Sequence, residues 1–449
     1  MRNFINTLKN IFAIEDLRVR ILNTLGFLLV YRLGSFIVLP GVNAEVLLAN
    51  HGADANSGLV GLINIFAGGA FSRASIFGLG IMPYISASIV VQLLGIAVPY
   101  FQKMQKEGPS GQKKIERITR VLTVAVTAFQ APGYIYSQII AYNAAEGNLT
   151  FFYVRSTLIL IAGTIFVMWL GEKITDKGIG NGISLIIMIG IIARLPASFF
   201  QEFSARVSTT GGGLIVLLVE MVFLVAVIMA TILLVQGTRR IPVQFAKRIV
   251  GNKQYGGARQ FIPLKVNASG VMPIIFAQAI MFLPITLAGF ATSAAASGLV
   301  SALTDIGGFW YNFLFGLMIV AFTYFYTAVI INPNQMAEDM KRNGGYVPGV
   351  KPGKKTAEYI DMVMSRITLP GAVFLAIVAI MPSIAMKFGM DNGFARFYGG
   401  TSLLILVGVM MDTLQQIESY LLMRHYDGLM KTGRIKGRTS LSGATVCSK

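Results

Sequence analysis

The stretch FAGGAFSRASIFGLGIMPYISASIVVQLL, from Phe66 to Leu94, decides the fold class of this chain. Its second half is a continuous apolar run that can cross a bilayer, since a spanning helix needs about 20 such residues. Its first half is rich in glycine and carries one arginine. Directly before it lies GLVGLINIF, residues 58–66, which is apolar but too short to span. The combination indicates an integral membrane protein and leaves the short segment to be explained.

The composition of the whole chain supports this class. Of its 449 residues, 54% are hydrophobic and only 13% are charged, whereas soluble domains carry about 25% charged residues. Strands of a membrane barrel would show alternating polarity over about ten residues. The apolar runs here are continuous, which predicts an all-α integral membrane protein.

Apolar runs of spanning length recur along the chain, and each is long enough for a hydrocarbon core of about 30 Å. We predict ten spans, at residues 21–39, 75–98, 119–141, 152–171, 183–201, 213–236, 269–290, 311–332, 366–386 and 399–423. Ten spans place both termini on one side of the membrane. That side would carry 31 of the 38 Lys and Arg residues, counting Arg120 and Arg366 at the ends of their spans, so the positive-inside rule predicts that both termini are cytoplasmic.

Two long cytoplasmic segments, 237–266 and 333–365, stand out in a chain whose net charge is +18. The first carries seven basic residues and no acidic one. Positive-inside bias alone predicts some of this excess, and the segments would then only set orientation. Both also carry aromatic residues among the charges, such as Phe261 and Tyr346. Because arginine and aromatic side chains are enriched at contact surfaces, we favour docking surfaces for a partner.

Residues for catalysis or metal binding are scarce. The one cysteine is Cys447 and the two histidines are His51 and His425, so neither a disulfide nor a metal site is expected. GVKPGKKT, residues 349–356, resembles a phosphate-binding loop, but Pro348 stands where the pattern needs glycine. We therefore predict no enzyme activity and no cofactor.

Among the ionisable residues within the predicted spans, we single out Arg32, Glu220 and Asp412. Glu220 is either a proton relay or ion ligand, or a side chain held by hydrogen bonds to another helix or a partner subunit, which we favour. Ser88 and Gln92 are four residues apart and share one helix face. Their hydrogen bonds could belong to a moving contact or to ordinary helix packing, and the sequence leaves this open.

Four segments carry a resemblance to a known family. They are GGAFSRASIFGLGIMPYISASIVVQLL from Gly68, MWLGEKITDKGIGNGISLII from Met168, PLKVNASGVMPIIFA from Pro263 and GYVPGVKPGKKTAEYIDMVMSRITL from Gly345. Together they closely resemble the SecY family, the channel subunits of the bacterial Sec translocation complex. The resemblance covers nearly the whole chain and implies a protein-conducting channel that also releases transmembrane segments laterally into lipid.

The resemblance implies two pseudo-symmetric halves of five spans, residues 1–210 and 211–437, followed by a tail, 438–449. A hinge would join spans five and six, and a lateral gate would lie between spans two and seven. The gate residues implied are Ser86, Ser88, Gln92, Asn267 and Gln278. A short external helix near 58–70 would plug the pore, carried by Leu59, Val60, Leu62, Ile63, Ile65, Phe66, Gly68 and Gly69. A non-spanning apolar segment is tolerated at membrane depth only when it is buried in protein.

The family's pore ring also transfers to this chain, and every position is isoleucine. The implied ring is Ile81, Ile85, Ile183, Ile187, Ile275 and Ile405. Without the resemblance, these would be ordinary core or lipid-facing residues. The docking residues implied for a ribosome or a SecA-like ATPase are Arg239, Arg240, Lys247, Arg248, Lys253, Arg259 and Lys351. Lys351 replaces the arginine that is usual in the family, and lysine lacks the planar five-donor fork.

The resemblance implies a location in the bacterial plasma membrane and several partners. These are SecE-like and SecG-like small subunits, a SecA-like ATPase, the ribosome, signal peptides and preproteins, membrane lipid, and a YidC-like insertase. A secondary transporter with inverted repeats is the alternative function, and a scaffold for membrane-protein assembly is a third. A transporter would show coupled acidic residues near the midplane.

Overall fold

The structure is a computed structural model of the full-length chain. It describes residues 14–47, 64, 67–140, 142–145, 148–208, 213–245, 248–250, 253–255, 259–288 and 307–431. Of the predicted plug, Asn64 and residues 67–70 belong to this part. The other predicted plug residues, Leu59, Val60, Leu62, Ile63, Ile65 and Phe66, lie outside the described residues, as do Lys247 and the tail 438–449.

Helices dominate the described chain. They are α1 (Glu15–Gly34), α2 (Met82–Ala97), α3 (Pro99–Lys106), α4 (Pro109–Ile135), α5 (Leu149–Lys177), α6 (Gly182–Ser208), α7 (Gly213–Gln236), α8 (Met272–Ala288), α9 (Phe309–Ile330), α10 (Pro333–Arg342), α11 (Lys354–Lys387), α12 (Asn392–Ala395) and α13 (Gly400–Lys431). We call α1–α6 the N-terminal helices and α7–α13 the C-terminal helices.

Each predicted span coincides with a helix, which confirms the helical membrane class. Among the described residues, six helices are long and apolar enough to cross a membrane: α5, α6, α7, α9, α11 and α13. The pair α2 and α3 would be a seventh, bent by 100° at the break before Pro99. The spans predicted at 21–39, 119–141 and 269–290 coincide with α1, α4 and α8. The count of ten spans remains a prediction.

The second predicted span begins later than the sequence pattern indicated. We expected a helix from residue 75, but α2 begins at Met82. Residues 67–81 instead form a series of turns, with Ala67, Ala70 and Ala74 buried. Glycines permit this path, because Gly68, Gly69 and Gly80 have positive φ values of 62°, 90° and 54°.

The end of α4 departs from regular α-helix. Pro132 lies inside the helix, and a five-residue π-helix, Tyr136–Ile140, follows it. Proline has no N–H to donate to the preceding turn, and such positions are where helices bend or widen. The predicted span 119–141 therefore consists of two helix types.

The first predicted docking segment is a small sheet rather than a loop. Strand β1 (Thr238–Phe245) pairs antiparallel with β4 (Arg259–Lys265) and with β5 (Gly345–Tyr346). Between β1 and β4, β2 (Arg248–Val250) and β3 (Lys253–Tyr255) form a separate hairpin. Ile241 and Val243 alternate with exposed residues, which is the period of a half-buried strand. The sheet packs on α10 and α11 through Met340, Ile360 and Met364.

One apolar cluster joins the N-terminal and C-terminal helices. We call it the central cluster; its buried members are Leu28, Tyr31, Phe77, Ile81, Val167, Leu170, Ile174, Leu185, Ile186, Ile187, Met188, Ile191, Phe397, Ile405 and Val409. A second cluster packs residues 67–79 against α4 and α5, and a third lies among the C-terminal helices. The central cluster therefore marks the contact between the two parts of the chain.

Candidate functional site: an isoleucine constriction and its surroundings

All six isoleucines predicted for the pore ring lie in the central cluster. Ile81, Ile187 and Ile405 are buried members, with 4%, 4% and 2% of their surface exposed. Ile85, Ile183 and Ile275 are half-buried and pack against them. The six come from four places in the sequence: the start of α2, the start of α6, α8 and α13.

The chemistry of this group is uniform. Isoleucine offers only hydrocarbon, so water gains no hydrogen bonds within such a constriction, and an apolar narrowing can close to ions by dewetting. The same absence of hydrogen-bonding groups means that no particular polypeptide sequence would be retained. The geometry brings the six side chains together; their role as a ring remains a prediction.

The glycine turn at Gly68 and Gly69, which follows the short apolar segment, contacts two helices. Arg32 of α1 donates a 2.8 Å hydrogen bond from Nη1 to the Gly68 carbonyl. A Cβ atom on Gly68 would lie 3.0 Å from the Cα atom of Gly190 in α6, so the two backbones approach closely. The first-span arginine thus holds the turn, a partner that the sequence did not reveal.

Asn64 is the one described residue of the preceding segment, and it is fully buried. Its carbonyl accepts a 2.9 Å hydrogen bond from the Gly69 N–H. Its side-chain Oδ1 accepts hydrogen bonds from the N–H and the hydroxyl of Ser72, at 3.2 and 3.0 Å. These bonds stabilise the glycine turn from within.

One of the predicted gate residues of α2, Gln92, contacts the C-terminal helix α9. Ser86, Ser88 and Gln92 are half-buried. Gln92 Nε2 lies 3.5 Å from Ser88 Oγ, as expected for residues four apart. The hydroxyl of Tyr326 on α9 donates to Gln92 Oε1 at 3.2 Å. The Tyr326 ring also lies 5.7 Å from the ring of Phe276 in α8.

The predicted gate residues near α8 have C-terminal neighbours. Asn267 is buried and accepts a 3.3 Å hydrogen bond from the Ser269 hydroxyl. Gln278 lines a cavity of about 40 Å³ together with Tyr311, Asn312 and Thr401. The contact to Gln92 is thus made by Tyr326, which the sequence pattern missed because the two residues are 234 positions apart.

The predicted docking residues fall on the sheet and the loop beside it. In the β1–β4 ladder, Arg240 stands opposite Pro263 and Gln244 opposite Arg259. Arg239, Arg240, Arg259 and Phe261 are exposed, and Lys351 is exposed on the loop before α11. Arg248 and Lys253 lie in the β2–β3 hairpin. One face of the sheet is buried, so the other presents arginine and an aromatic residue outward.

Glu220 belongs to an ion network that the sequence analysis did not identify. Its Oε1 accepts a 2.6 Å hydrogen bond from Arg206 Nη2, and Arg206 Nε donates to Glu202 Oε1 at 2.8 Å. Glu202 and Glu220 are both buried. The i, i+4 spacing of Glu202 and Arg206 in the sequence could have indicated this ion pair. Within the described ranges, no group of His, Cys, Asp and Glu could hold a metal ion.

Long apolar helices that surround a cluster of isoleucines define a polytopic helical membrane protein. The fold is similar to that of a solved protein-conducting channel, with a TM-score of 0.62 and 16% identity over 90% of this chain and 92% of the other. It is also similar to Sec61 in a canine ribosome–channel complex from the endoplasmic reticulum, with a TM-score of 0.56 and 15% identity over the same shares.

Sequence relatives agree with the fold. The SecY family model matches residues 75–414. Protein translocase subunit SecY of Chlamydia trachomatis is 40% identical over 96% of this chain and 99% of its own length. The same subunit of Thermotoga maritima is 42% identical over the same shares. The chain belongs to the SecY family, which confirms the resemblance drawn from the four motifs.

Proposed function

We propose that this chain is a protein-conducting channel that passes unfolded polypeptides across the membrane and releases transmembrane segments sideways into lipid. Its membership of the SecY family and the likeness of its fold to a protein-conducting channel support this function. The observation that carries the proposal is the convergence of six isoleucines from four parts of the chain on the central cluster. A hydrocarbon constriction suits a channel for polypeptides of any sequence.

A secondary transporter is not favoured. Such proteins bind a small solute near the midplane with polar side chains, unwound backbone and half-helix ends. Here the central cluster, where N-terminal and C-terminal helices pack together, is apolar. Glu220 is bound to Arg206, away from the central cluster, which suits the structural role that we preferred for it.

Segment 58–70 acts as the plug of this channel. The support is its half-length apolar sequence and the bond from Arg32 that holds its last turn beside α6. Deleting residues 58–69 should leave the protein folded and make reconstituted vesicles leak ions. If vesicles with the deletion variant leak no more ions than wild-type vesicles, segment 58–70 is not the plug.

The channel opens as two halves, residues 1–210 and 211–437, which separate at a lateral gate between α2 and the α8–α9 pair. The Tyr326–Gln92 hydrogen bond supports this location, since it joins an N-terminal to a C-terminal helix. A hydrogen bond between membrane helices is worth about 0.6–2 kcal/mol, which thermal motion and a bound signal helix can overcome.

The chain resides in the bacterial plasma membrane with both termini in the cytoplasm, as the distribution of Lys and Arg indicates. The exposed sheet then faces the cytoplasm and docks a ribosome or a SecA-like ATPase. The solved relatives named as complexes with ribosomes, canine Sec61 and yeast Ssh1, support the ribosome as a partner. SecE-like and SecG-like small subunits, preproteins, lipid and a YidC-like insertase complete the proposed partners.

The function is tested by reconstituting the complex in vesicles and supplying an unfolded preprotein with a purified SecA-like ATPase. The proposal expects the preprotein to become protected from added protease. The control is the same vesicle without the ATPase. A protein that takes up a small solute but leaves the preprotein accessible would support the transporter instead.

A further inference from the structure

Three arginines from separate parts of the chain meet at the glycine turn. Arg32 lies in the last turn of α1, Arg73 in the series of turns before α2, and Arg194 in the middle of α6. Arg32 Nη1 donates to the Gly68 carbonyl at 2.8 Å. A Cβ atom on Gly69 would lie 3.5 Å from Arg194 Nε and 3.7 Å from Arg73 Cζ. Guanidinium groups therefore surround the turn.

The surroundings of these arginines do not balance their charge. The Cζ atoms of Arg32 and Arg73 lie 4.9 and 4.4 Å from the centre of the Phe36 ring. A ring face attracts each cation, but it carries no net negative charge. The charges that act most on Arg194 are those of Arg73, Arg396 and Arg32, and all three are positive. Among the described residues, no ion pair involves Arg32 or Arg73.

Arg73 also carries an unsatisfied hydrogen-bond donor. Its Nη1 atom is buried and has no hydrogen-bond partner within the part of the chain that the structure describes. Leaving a buried donor of a charged group unpaired is costly. In the proposed orientation, Arg73 lies on the outer side of the membrane, where the positive-inside rule disfavours arginine. Both costs would be offset by an anion bound at the cluster.

The chemistry of guanidinium indicates the class of anion. Its planar fork of N–H donors matches the oxygens of a carboxylate or a phosphate group and binds them bidentately. A phosphate group offers several oxygens around one centre, so it can accept hydrogen bonds from guanidinium groups that approach from different directions. A chloride ion has no such fork to match. The geometry therefore favours phosphate.

We propose that Arg32, Arg73 and Arg194 form a binding site for a phosphate group, and that the bound group ties the glycine turn to α1 and α6. The second part rests on the proposed plug at 58–70, because a tied turn would hold the plug in place. The phosphate group comes either from inorganic phosphate outside the membrane or from a phospholipid headgroup.

Phosphate binding is measured on the full complex, purified in a mild detergent and depleted of lipid. Inorganic phosphate is titrated at constant ionic strength against chloride, and the unfolding temperature and the ³¹P NMR line width are followed. The proposal expects a saturable rise in unfolding temperature and a broadened phosphate signal, which chloride alone does not produce. A short-chain phosphatidylglycerol is titrated in the same way. Tighter binding of this lipid than of inorganic phosphate identifies the headgroup as the source.

Variants of Arg73 locate the binding. Arg73→Gln removes a charged donor and should raise the Kd for phosphate about tenfold or more. Arg73→Lys keeps the charge but loses the planar fork, so it should also weaken binding. Lys387→Gln is the matched control, because it removes one positive charge from an exposed position at the end of α11. Its Kd should equal that of the wild type.

Three results would overturn the proposed site. The first is a wild-type complex that shows no saturable response to inorganic phosphate or to the lipid. The second is an unchanged Kd in both Arg73 variants, which would place the bound phosphate elsewhere. The third is binding by Asp54→Asn but not by the wild type, since a carboxylate of the chain itself would then fill the site.

The effect on the plug is measured separately, as ion leak from vesicles with and without phosphate on the outer side. Phosphate should lower the leak of the wild type, and Arg73→Gln should lose this response. If phosphate binds with the expected dependence on Arg73 but the leak does not change, the binding site stands and its proposed link to the plug is wrong.

Discussion

The hydroxyl of Tyr326 donates a 3.2 Å hydrogen bond to Gln92 Oε1, and so joins α9 to α2 across 234 positions of sequence. The same tyrosine ring packs 5.7 Å from Phe276 of α8. Tyr326 therefore contacts both sides of the proposed lateral gate. Its hydroxyl bonds to the α2 side, while its ring packs on the C-terminal side.

Tyr326→Phe should make the gate easier to open. The variant keeps the ring beside Phe276 and removes only the hydrogen bond, which is worth about 0.6 kcal/mol on average between membrane helices. That energy corresponds to about a threefold rise in the open population. Ion leak through idle channels in planar bilayers measures it.

Tyr324→Phe is the matched control, because it makes the same chemical change two residues away on the same helix. Its leak should equal that of the wild type. Equal leak in both variants would show that the Tyr326 hydroxyl does not restrain the gate.

Linking α2 to α9 should block translocation and membrane insertion together. Gln92 and Tyr326 meet through the ends of long side chains, whereas a disulfide requires Cα atoms within about 7 Å. Cysteines at these two positions, in a Cys447→Ser background, are therefore joined by a short cleavable bifunctional maleimide. Cleaving the linker should restore both activities. Full insertion by the linked protein would exclude opening between α2 and α9.

The sequence predicted those features that depend on composition and local pattern. Ten apolar runs coincide with helices, and the six isoleucines of the predicted ring meet in one cluster. Both follow from apolar residues at recurring positions, which a sequence displays directly. Predicting the isoleucine cluster also needed the family resemblance, because a run such as NGISLII does not show which isoleucine faces a partner helix.

Features that depend on contacts between distant residues could not be predicted. The start of α2 at Met82 reflects the packing of residues 67–81 against α4 and α5, which overrides their apolar character. Glu220 looked isolated because Glu202 and Arg206 lie beyond the predicted end of the preceding span, in the last turns of α6. The sheet was missed because the basic residues of 237–266 obscured the alternation of Ile241 and Val243 with exposed neighbours.

Gly68→Ala should loosen the plug and raise ion leak. Gly68 has a φ of +62°, which costs an L-residue about 1–2 kcal/mol. The added Cβ atom would also lie 2.9 Å from Arg32 Nη1 and 3.0 Å from the Gly190 Cα atom. Gly349→Ala is the control, since Gly349 has a φ of +85° but no atom within 4 Å of its Cβ position. If both variants leak alike, strain alone rather than the contact with α6 explains the effect.

Reversing the charge of Arg239, Arg240 and Arg259 to glutamate should weaken ribosome binding. Each exposed ion pair contributes about 0.2–1 kcal/mol, so three reversals should lower the affinity about tenfold or more. Co-sedimentation of ribosomes with channel vesicles at low and high salt measures this, because salt screens exposed charges. Arg117→Glu, on an exposed face of α4, controls for a change in net charge. Binding insensitive to both the reversals and salt would leave the sheet as an orientation signal only.

In the proposed channel, the six isoleucines seal the path for polypeptides. The most direct test measures ion leak and preprotein translocation in the same vesicles for the double variant Ile85→Ser and Ile275→Ser. Ile215→Ser with Ile377→Ser, at exposed positions of α7 and α11, is the matched control and should behave as wild type. We predict that serine hydrates the constriction and raises leak, while translocation continues because a passing chain needs no specific contact there. Tight vesicles with normal translocation in the Ile85 and Ile275 variant would contradict the seal.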